Sequence, residues 1–234
     1  MKLEKEHVIN KIIKHRKLKY YLEIGVWTGS CLFKIKSRKK IAVDPDLRIS
    51  LKAKLLYYTI NPLNIFNKYF EMTSDNFFNI KPKFLIKNGL DIVLIDGLHT
   101  YEQSLKDFQN CFKYLNDDGV IIFHDCNPQS ESEAIPRNNI KNSHNFNPQL
   151  LSKDWCGDVW KTIVHLRSLT DDLSIFTLDC DFGLAIVSRG SQFNKLDFSL
   201  EEIKKLTYKD LEKNREKFLN LKPPDYFKDF INLN

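Results

Sequence analysis

The spacing of apolar residues changes several times along the chain, and each change marks an element. Over residues 3–17, Leu3, Val8, Ile12 and Ile13 recur at near-helical intervals among charges, predicting a helix within residues 1–19. Residues 20–24 read as a short buried strand stopped by Gly25. Thr28, Gly29 and Ser30 then supply turn and N-cap chemistry for a helix reaching about Lys36. A second strand over 40–43 ends at Asp44-Pro45, where the proline forces a turn. Residues 50–59 are predicted helical and 68–71 a third strand. The almost continuous apolar run at 91–96 predicts a strand covered on both faces, as in a parallel sheet. Tyr101, Leu105, Phe108, Phe112 and Leu115 share one face of a helix over 101–115. An Asp117-Asp118-Gly119 turn leads to a strand at 120–123.

The rhythm breaks at residues 126–154, a stretch rich in Asn, Ser and Pro, which predicts a long loop acting as a lid. A helix resumes over 155–169, and residues 174–178 and 183–188 form a predicted antiparallel hairpin. Ser199, with Glu202 three residues on, caps an amphipathic helix over 199–221, which Pro223-Pro224 ends. Strands alternating with helices predict an α/β fold: a doubly wound, mostly parallel, seven-stranded sheet with a C-terminal antiparallel hairpin. One domain spanning 1–234 is expected, with a helical tail at 199–234 that docks on its own domain or on a second subunit to make a homo-oligomer.

Composition narrows the class. At 42% hydrophobic and 28% charged, the chain suits a soluble globular protein. The first 19 residues hold no apolar signal core, and no run of about 18 apolar residues occurs, so no membrane span and a cytoplasmic location are expected. Five cysteines without a C-x-x-C pair predict reduced thiols rather than a disulfide frame or a structural zinc site. The net charge of +6 comes from lysines spread along the chain, which favours solvated faces over a nucleic-acid footprint.

Doubly wound sheets bind ligands beyond the carboxyl ends of their strands. At the first such end, Gly25 and Gly29 permit a tight turn and close backbone approach to a ligand, and the helix start at Ser30 is expected to face an anionic group. The G-x-G-x-x-G spacing of a dinucleotide site is missing, because position 27 is Trp. Asp44 stands 15 residues beyond Gly29 at the second strand end, where a carboxylate can grip both hydroxyls of a ribose. Glycine turn and acid together are more specific than either alone.

The string from Tyr21 to Ser30, with Val43-Asp44-Pro45, resembles the first two motifs of the class I S-adenosylmethionine-dependent methyltransferases. The likeness is to the branch with Glu-x-Gly-Val-aromatic-x-Gly-Ser. It implies a Rossmann-like methyltransferase fold and cofactor contacts from Glu23, Gly25, Thr28, Gly29, Ser30, Asp44 and Asp96, with Ser74 and Asp75 flanking the adenine. A helix cap is the alternative role for Ser74 and Asp75.

Asp96 and Asp125 both follow predicted strands. With His124 they offer a divalent metal such as Mg²⁺ about three ligands. His99, three residues beyond Asp96, is the candidate base for a hydroxyl proton. The strings Asp96-Gly97-Leu98-His99-Thr100-Tyr101 and His124-Asp125 resemble the metal-dependent macrocin-type O-methyltransferases of sugars and small molecules, with one departure. That family has two acids in a row where this chain has His124-Asp125. The resemblance implies O-methylation of a small-molecule or glycan hydroxyl, with Asp96, His124 and Asp125 holding the metal. Gly157-Asp158-Val159-Trp160-Lys161 is also similar to a string in relatives; Asp158 and Trp160 either line the acceptor pocket or form a helix start with a core Trp. Two other readings share the fold class. A nicotinamide-dependent oxidoreductase requires the missing glycine motif, and a non-catalytic binding module would show no divalent-metal requirement for methyl transfer.

Overall fold

The strand order reverses next to β1 (Tyr20–Ile24), and this reversal places the site. β1 pairs in parallel with β2 (Lys39–Asp44) on one side and with β4 (Leu90–Ile95) on the other. β2 pairs in parallel with β3 (Lys68–Glu71). With β5 (Leu115–Phe123), β6 (Leu173–Leu178), β7 (Leu184–Arg189) and β8 (Leu221–Lys222), the eight strands run in the order β3-β2-β1-β4-β5-β7-β6-β8. β6 and β7 are antiparallel, as their spacing predicted. The structure is a computed structural model describing residues 3–137 and 154–232. The predicted lid, 126–154, is therefore described at its two ends only, and 138–153 lies outside the described residues.

The chain divides into two compact units. The first comprises Met1–Gly97, Asp107–Ile122 and Asp229–Asn234. Here α1 (Lys5–Arg16) buries Val8, Ile9, Ile12 and Ile13, and Tyr21, Leu22, Ile92, Val93 and Leu94 make the strands an apolar layer. The short helices α3 (Ser74–Asn79) and α4 (Lys83–Asn88) follow β3. By contrast α2 (Leu51–Ile60) buries no residue, and Leu51, Leu55, Leu56 and Ile60 are exposed. Asn116 donates to the Asp91 carboxylate (2.7 Å) and to the Asn88 carbonyl (3.2 Å). Those bonds tie down the start of β5, so the strand runs through Asp117–Gly119 instead of turning there.

The second unit comprises Leu98–Lys106 and Phe123–Lys228. Its centre is α6 (Trp160–Leu169), which buries Trp160, Ile163, Val164 and Leu166. The helix α5 (Tyr101–Phe112) passes from this unit into the first, and α9 (Tyr226–Asn232) follows β8. The predicted single tail helix is two helices, α7 (Leu200–Lys205) and α8 (Tyr208–Leu219). Each has its own capping box, Ser199 with Glu202 and Thr207 with Asp210, and the second interrupts the run. The buried Arg167 guanidinium donates to the carbonyls of Lys217, Phe218 and Asn194, holding the C-terminal end of α8 against α6. After α8 the chain adds β8 beside β6, pairing Thr177 with Leu221 and Leu178 with Lys222. This two-residue strand makes the sheet eight-stranded rather than seven-stranded. Among the described residues no helix is long and apolar enough to cross a membrane.

The helix predicted from Ser30 to about Lys36 is only a 3-10 turn, Leu32–Lys34. Its carbonyls are taken by side chains. Lys40 Nζ donates to Leu32 O (3.1 Å) and Ile35 O (2.9 Å), Asn61 donates to the carbonyls of Phe33 and Ile35, and Asn64 donates to Phe33 O. With these acceptors occupied, the helical ladder does not propagate. Ser30 caps no α-helix, and the anion-facing helix start expected there is absent.

Candidate active site

In the first unit the site begins at the turn after β1. Gly25 has φ +86°, and a Cβ there would lie 1.9 Å from the Asp96 carbonyl oxygen, so only glycine fits. Its N–H donates to Val43 O (3.0 Å), which carries the parallel pairing into the turn. Trp27 follows with a left-handed backbone, φ +46°, rare for a residue of its bulk. That conformation is held from β2: Trp27 N–H donates to Asp44 Oδ2 (2.8 Å), and Asp46 N–H donates to Oδ1 of the same buried carboxylate (2.7 Å). A carboxylate oxygen has two lone-pair directions, so each keeps one beyond its backbone bond. Thr28 and Ser30 are exposed on the turn, while Gly29 is buried at φ +78°.

Glu23 is fully buried one step back along β1 and accepts from the Tyr21 hydroxyl at 2.5 Å. Burial raises its pKa to about 7, with Asp96 adding to the rise and the Tyr21 bond, Lys5 and Lys40 opposing it. Asp96, beyond the end of β4, receives the Lys5 ammonium on Oδ2 at 2.6 Å. Ser74 and Asp75 open α3, yet its cap is neither of them: the Thr73 hydroxyl accepts from Asn76 N–H at 3.2 Å. Ser74 is buried and Asp75 half-buried in this first turn.

The second unit holds the other candidates. His99 and Asp125 follow β4 and β5, and both have left-handed backbones, φ +57° and +61°. Such positions are sparsely populated by non-glycine residues and concentrate at functional sites. His99 Nε2 lies 3.0 Å from Asp125 Oδ2, and its Nδ1 lies 3.0 Å from the Trp155 carbonyl. His124 Nδ1 is also 3.0 Å from Asp125 Oδ2, and His124 Nε2 is 3.7 Å from Asp181 Oδ1. Asp125 Oδ2 is buried and aligned for a hydrogen bond with neither imidazole. An anionic oxygen held between two ring nitrogens is balanced by a proton or by a cation. The His124 ring nitrogen beside the Asp125 carboxylate, 3.0 Å away, is a donor pair that suits a divalent metal. The residues therefore fit the group that the sequence implied.

Supporting residues explain why His99 stays there. Gly157, φ +65°, packs so close that a Cβ would lie 2.0 Å from the His99 carbonyl oxygen. Asp158 Oδ1 accepts from Tyr101 N–H at 2.9 Å and so supplies the α5 cap from a distant segment. Trp160 is 1% exposed. Trp160 is thus a core Trp at the start of α6, while Asp158 caps α5 and not the helix that follows it. Cys156 is buried in the same region. Burial, reinforced by Asp125 and Glu133, pushes its thiol well above the ordinary range, which keeps it protonated. All five cysteines are free thiols.

Two participants were not picked out from sequence. Lys5 is one of 36 basic residues, with no motif around it. Asp181 sits in the β6–β7 turn at φ +46°, beside Phe182 at +60°, and only the folded hairpin brings it to His124.

Comparison with known proteins agrees with this architecture. Residues 22–126 match the sequence model of a family described as "Methyltransferase domain". An uncharacterized protein, R132 of Acanthamoeba polyphaga mimivirus, is 31% identical over 113 residues, which is 45% of this chain and 50% of that protein. The chain thus spans about half the length of this curated relative. Among solved structures, the O-methyltransferase TomG from Streptomyces achromogenes, in complex with SAM, superposes with a TM-score of 0.54 at 10% identity, covering 80% of this chain and 79% of TomG. Cofactor-bound Rv0187 from MTB gives 0.53 at 11% identity, covering 81% and 82%. At such identities the likeness is one of fold. Residues 22–126 thus match a methyltransferase-domain sequence model, and about four fifths of the chain shares the fold of these solved structures.

Proposed function

We propose that the chain transfers a methyl group from S-adenosylmethionine to a hydroxyl of a small molecule, with a sugar or glycan precursor as the favoured acceptor class. The observation that carries this reading is the Asp44 carboxylate, buried and fixed by two backbone N–H donors at the switch point of the sheet. A rigid acceptor pair there suits a ribose diol. Gly25 and Gly29 admit the donor closely, Glu23, Thr28 and Ser30 line the turn, Ser74 and Asp75 flank its adenine, and Asp96 meets its amino-acid end.

The donor's methyl is already activated, so the protein's task is alignment and proton removal. His99 is the base. Trp155 O orients its ring through Nδ1, Nε2 takes the hydroxyl proton, and Asp125 stabilises the resulting imidazolium from 3.0 Å. The acceptor oxygen forms the new C–O bond as the C–S bond breaks, and S-adenosylhomocysteine leaves. Within the second unit His124 and Asp125 are the residues that would hold a divalent metal, which when bound lowers the hydroxyl pKa and orients it.

Calorimetric titration with S-adenosylmethionine, with and without Mg²⁺, tests the reading on the wild type and Asp44→Ala. Micromolar binding by the wild type and at least tenfold weaker binding by the variant are expected. Absence of binding in both conditions would remove the methyltransferase reading and leave the fold.

A further inference from the structure

Lys5 occupies an odd place. It is the first residue of α1, where a cation opposes the helix dipole, and its N-cap Glu4 makes no side-chain capping bond. Something other than helix stability keeps an ammonium there. Its Nζ donates to Asp96 Oδ2 at 2.6 Å, and both side chains are largely sequestered, at 20% and 15% exposure. Asp96 is in turn locked to the β1 turn. Its N–H donates to Ile24 O (2.9 Å), and its carbonyl fills the space where a Gly25 side chain would be. One cation and one anion thus stand side by side at the end of β1 and β4, beside the glycine turn.

We propose that Lys5 and Asp96 form a subsite for an α-amino-acid zwitterion, the methionyl end of the donor, with Asp96 taking its ammonium and Lys5 its carboxylate. This rests on the methyltransferase reading and adds a positioning residue to it. The pair matches the zwitterion charge for charge, and each contact is a charge-assisted bond in a partly desolvated place. Without a donor the two side chains satisfy each other. With one, each exchanges its partner for the complementary group of the ligand, and neither charge is left alone. A purely structural ion pair would brace α1 and be indifferent to what the ligand carries.

The test compares S-adenosylmethionine with its decarboxylated form, which keeps the ammonium and lacks only the carboxylate. Affinities are measured by calorimetry on the wild type, Lys5→Met and Lys5→Arg. The wild type is expected to favour the full donor by about 10- to 30-fold, as a buried charge-assisted contact suggests. Lys5→Met is expected to lose that preference while binding the decarboxylated donor within about twofold of the wild type, and Lys5→Arg to keep most of it. Equal weakening of both ligands, or a preserved preference in Lys5→Met, would overturn the subsite, whatever the variant does to the melting temperature. If the wild type binds neither ligand, the methyltransferase reading fails beneath it and the subsite goes with it.

Discussion

His99 Nε2 and Asp125 Oδ2 stand 3.0 Å apart on two separate left-handed turns, φ +57° and +61°. Left-handed backbone is uncommon outside glycine, and His and Asp are among the residues that enter it most readily. His99 is held from outside: Trp155 O fixes its ring and Gly157 packs on its carbonyl. The pair depends on the neighbours that hold His99, and the first predictions follow from loosening it.

Asp125→Asn keeps the shape and removes the charge. Turnover, read as S-adenosylhomocysteine release, is expected to fall by about 10²- to 10⁴-fold, the span of general-base contributions. Donor affinity is expected to stay within about threefold. An Asn variant with wild-type turnover would sink the role of Asp125 in stabilising His99.

Gly157→Ala tests the packing that positions His99. The added Cβ meets backbone at 2.0 Å and demands a left-handed alanine, so a loss of about 2–4 kcal/mol in urea unfolding is expected, with reduced turnover. Gly97→Ala is the control: its Cβ would find only ordinary contacts at 3.5 and 4.0 Å. It is expected to stay within about 0.5 kcal/mol of the wild type.

Glu23 makes stability depend on pH. Its carboxyl is raised by burial from 4.5 to about 7, so the folded state holds the proton more tightly than the unfolded chain. The penalty for ionising it is absent below pH 4.5, grows between 4.5 and 7, and is complete above 7. From the two pKa values it amounts to roughly 3 kcal/mol. Glu23→Gln is therefore expected to gain stability on the wild type as pH rises from 5 to 8, with the gap closing toward pH 4.5. Parallel urea curves across that range would show a gap that does not change if the assignment is mistaken.

Lys40→Met probes why no helix follows the glycine turn. Lys40 is 1% exposed, and burial lowers its pKa to about 8 while Nζ serves Leu32 O, Ile35 O and Asn64. Methionine fills the space and strands those buried acceptors, at an expected cost of about 2–4 kcal/mol. A smaller change, under about 0.5 kcal/mol, would mean that water replaces the ammonium.

Much of the frame follows from the sequence, because strands buried on both faces and amphipathic helices write their period directly into residue order. β1, β3 and the β6–β7 hairpin lie where spacing put them, and Gly25 and Asp44 stand at the strand ends expected of them. Where a segment's partners are distant in sequence, local pattern misled. The stretch after Ser30 has N-cap chemistry, yet Lys40, Asn61 and Asn64 take its carbonyls and leave only a 3-10 turn. The tail has helical periodicity, yet β6 recruits Leu221 and Lys222 as an eighth strand.

The chain itself determined which residue types stand at the carboxyl ends of the strands, since turn chemistry and strand period are properties of neighbours in sequence. Only the tertiary structure decided which atoms of those residues face one another. Lys5 reaches Asp96 across 91 positions, Asp158 caps a helix 57 positions earlier, and Asp181 meets His124 through a hairpin turn. Such contacts depend on where the backbone returns, which is set by the packing of the whole core and not by any local run of residues.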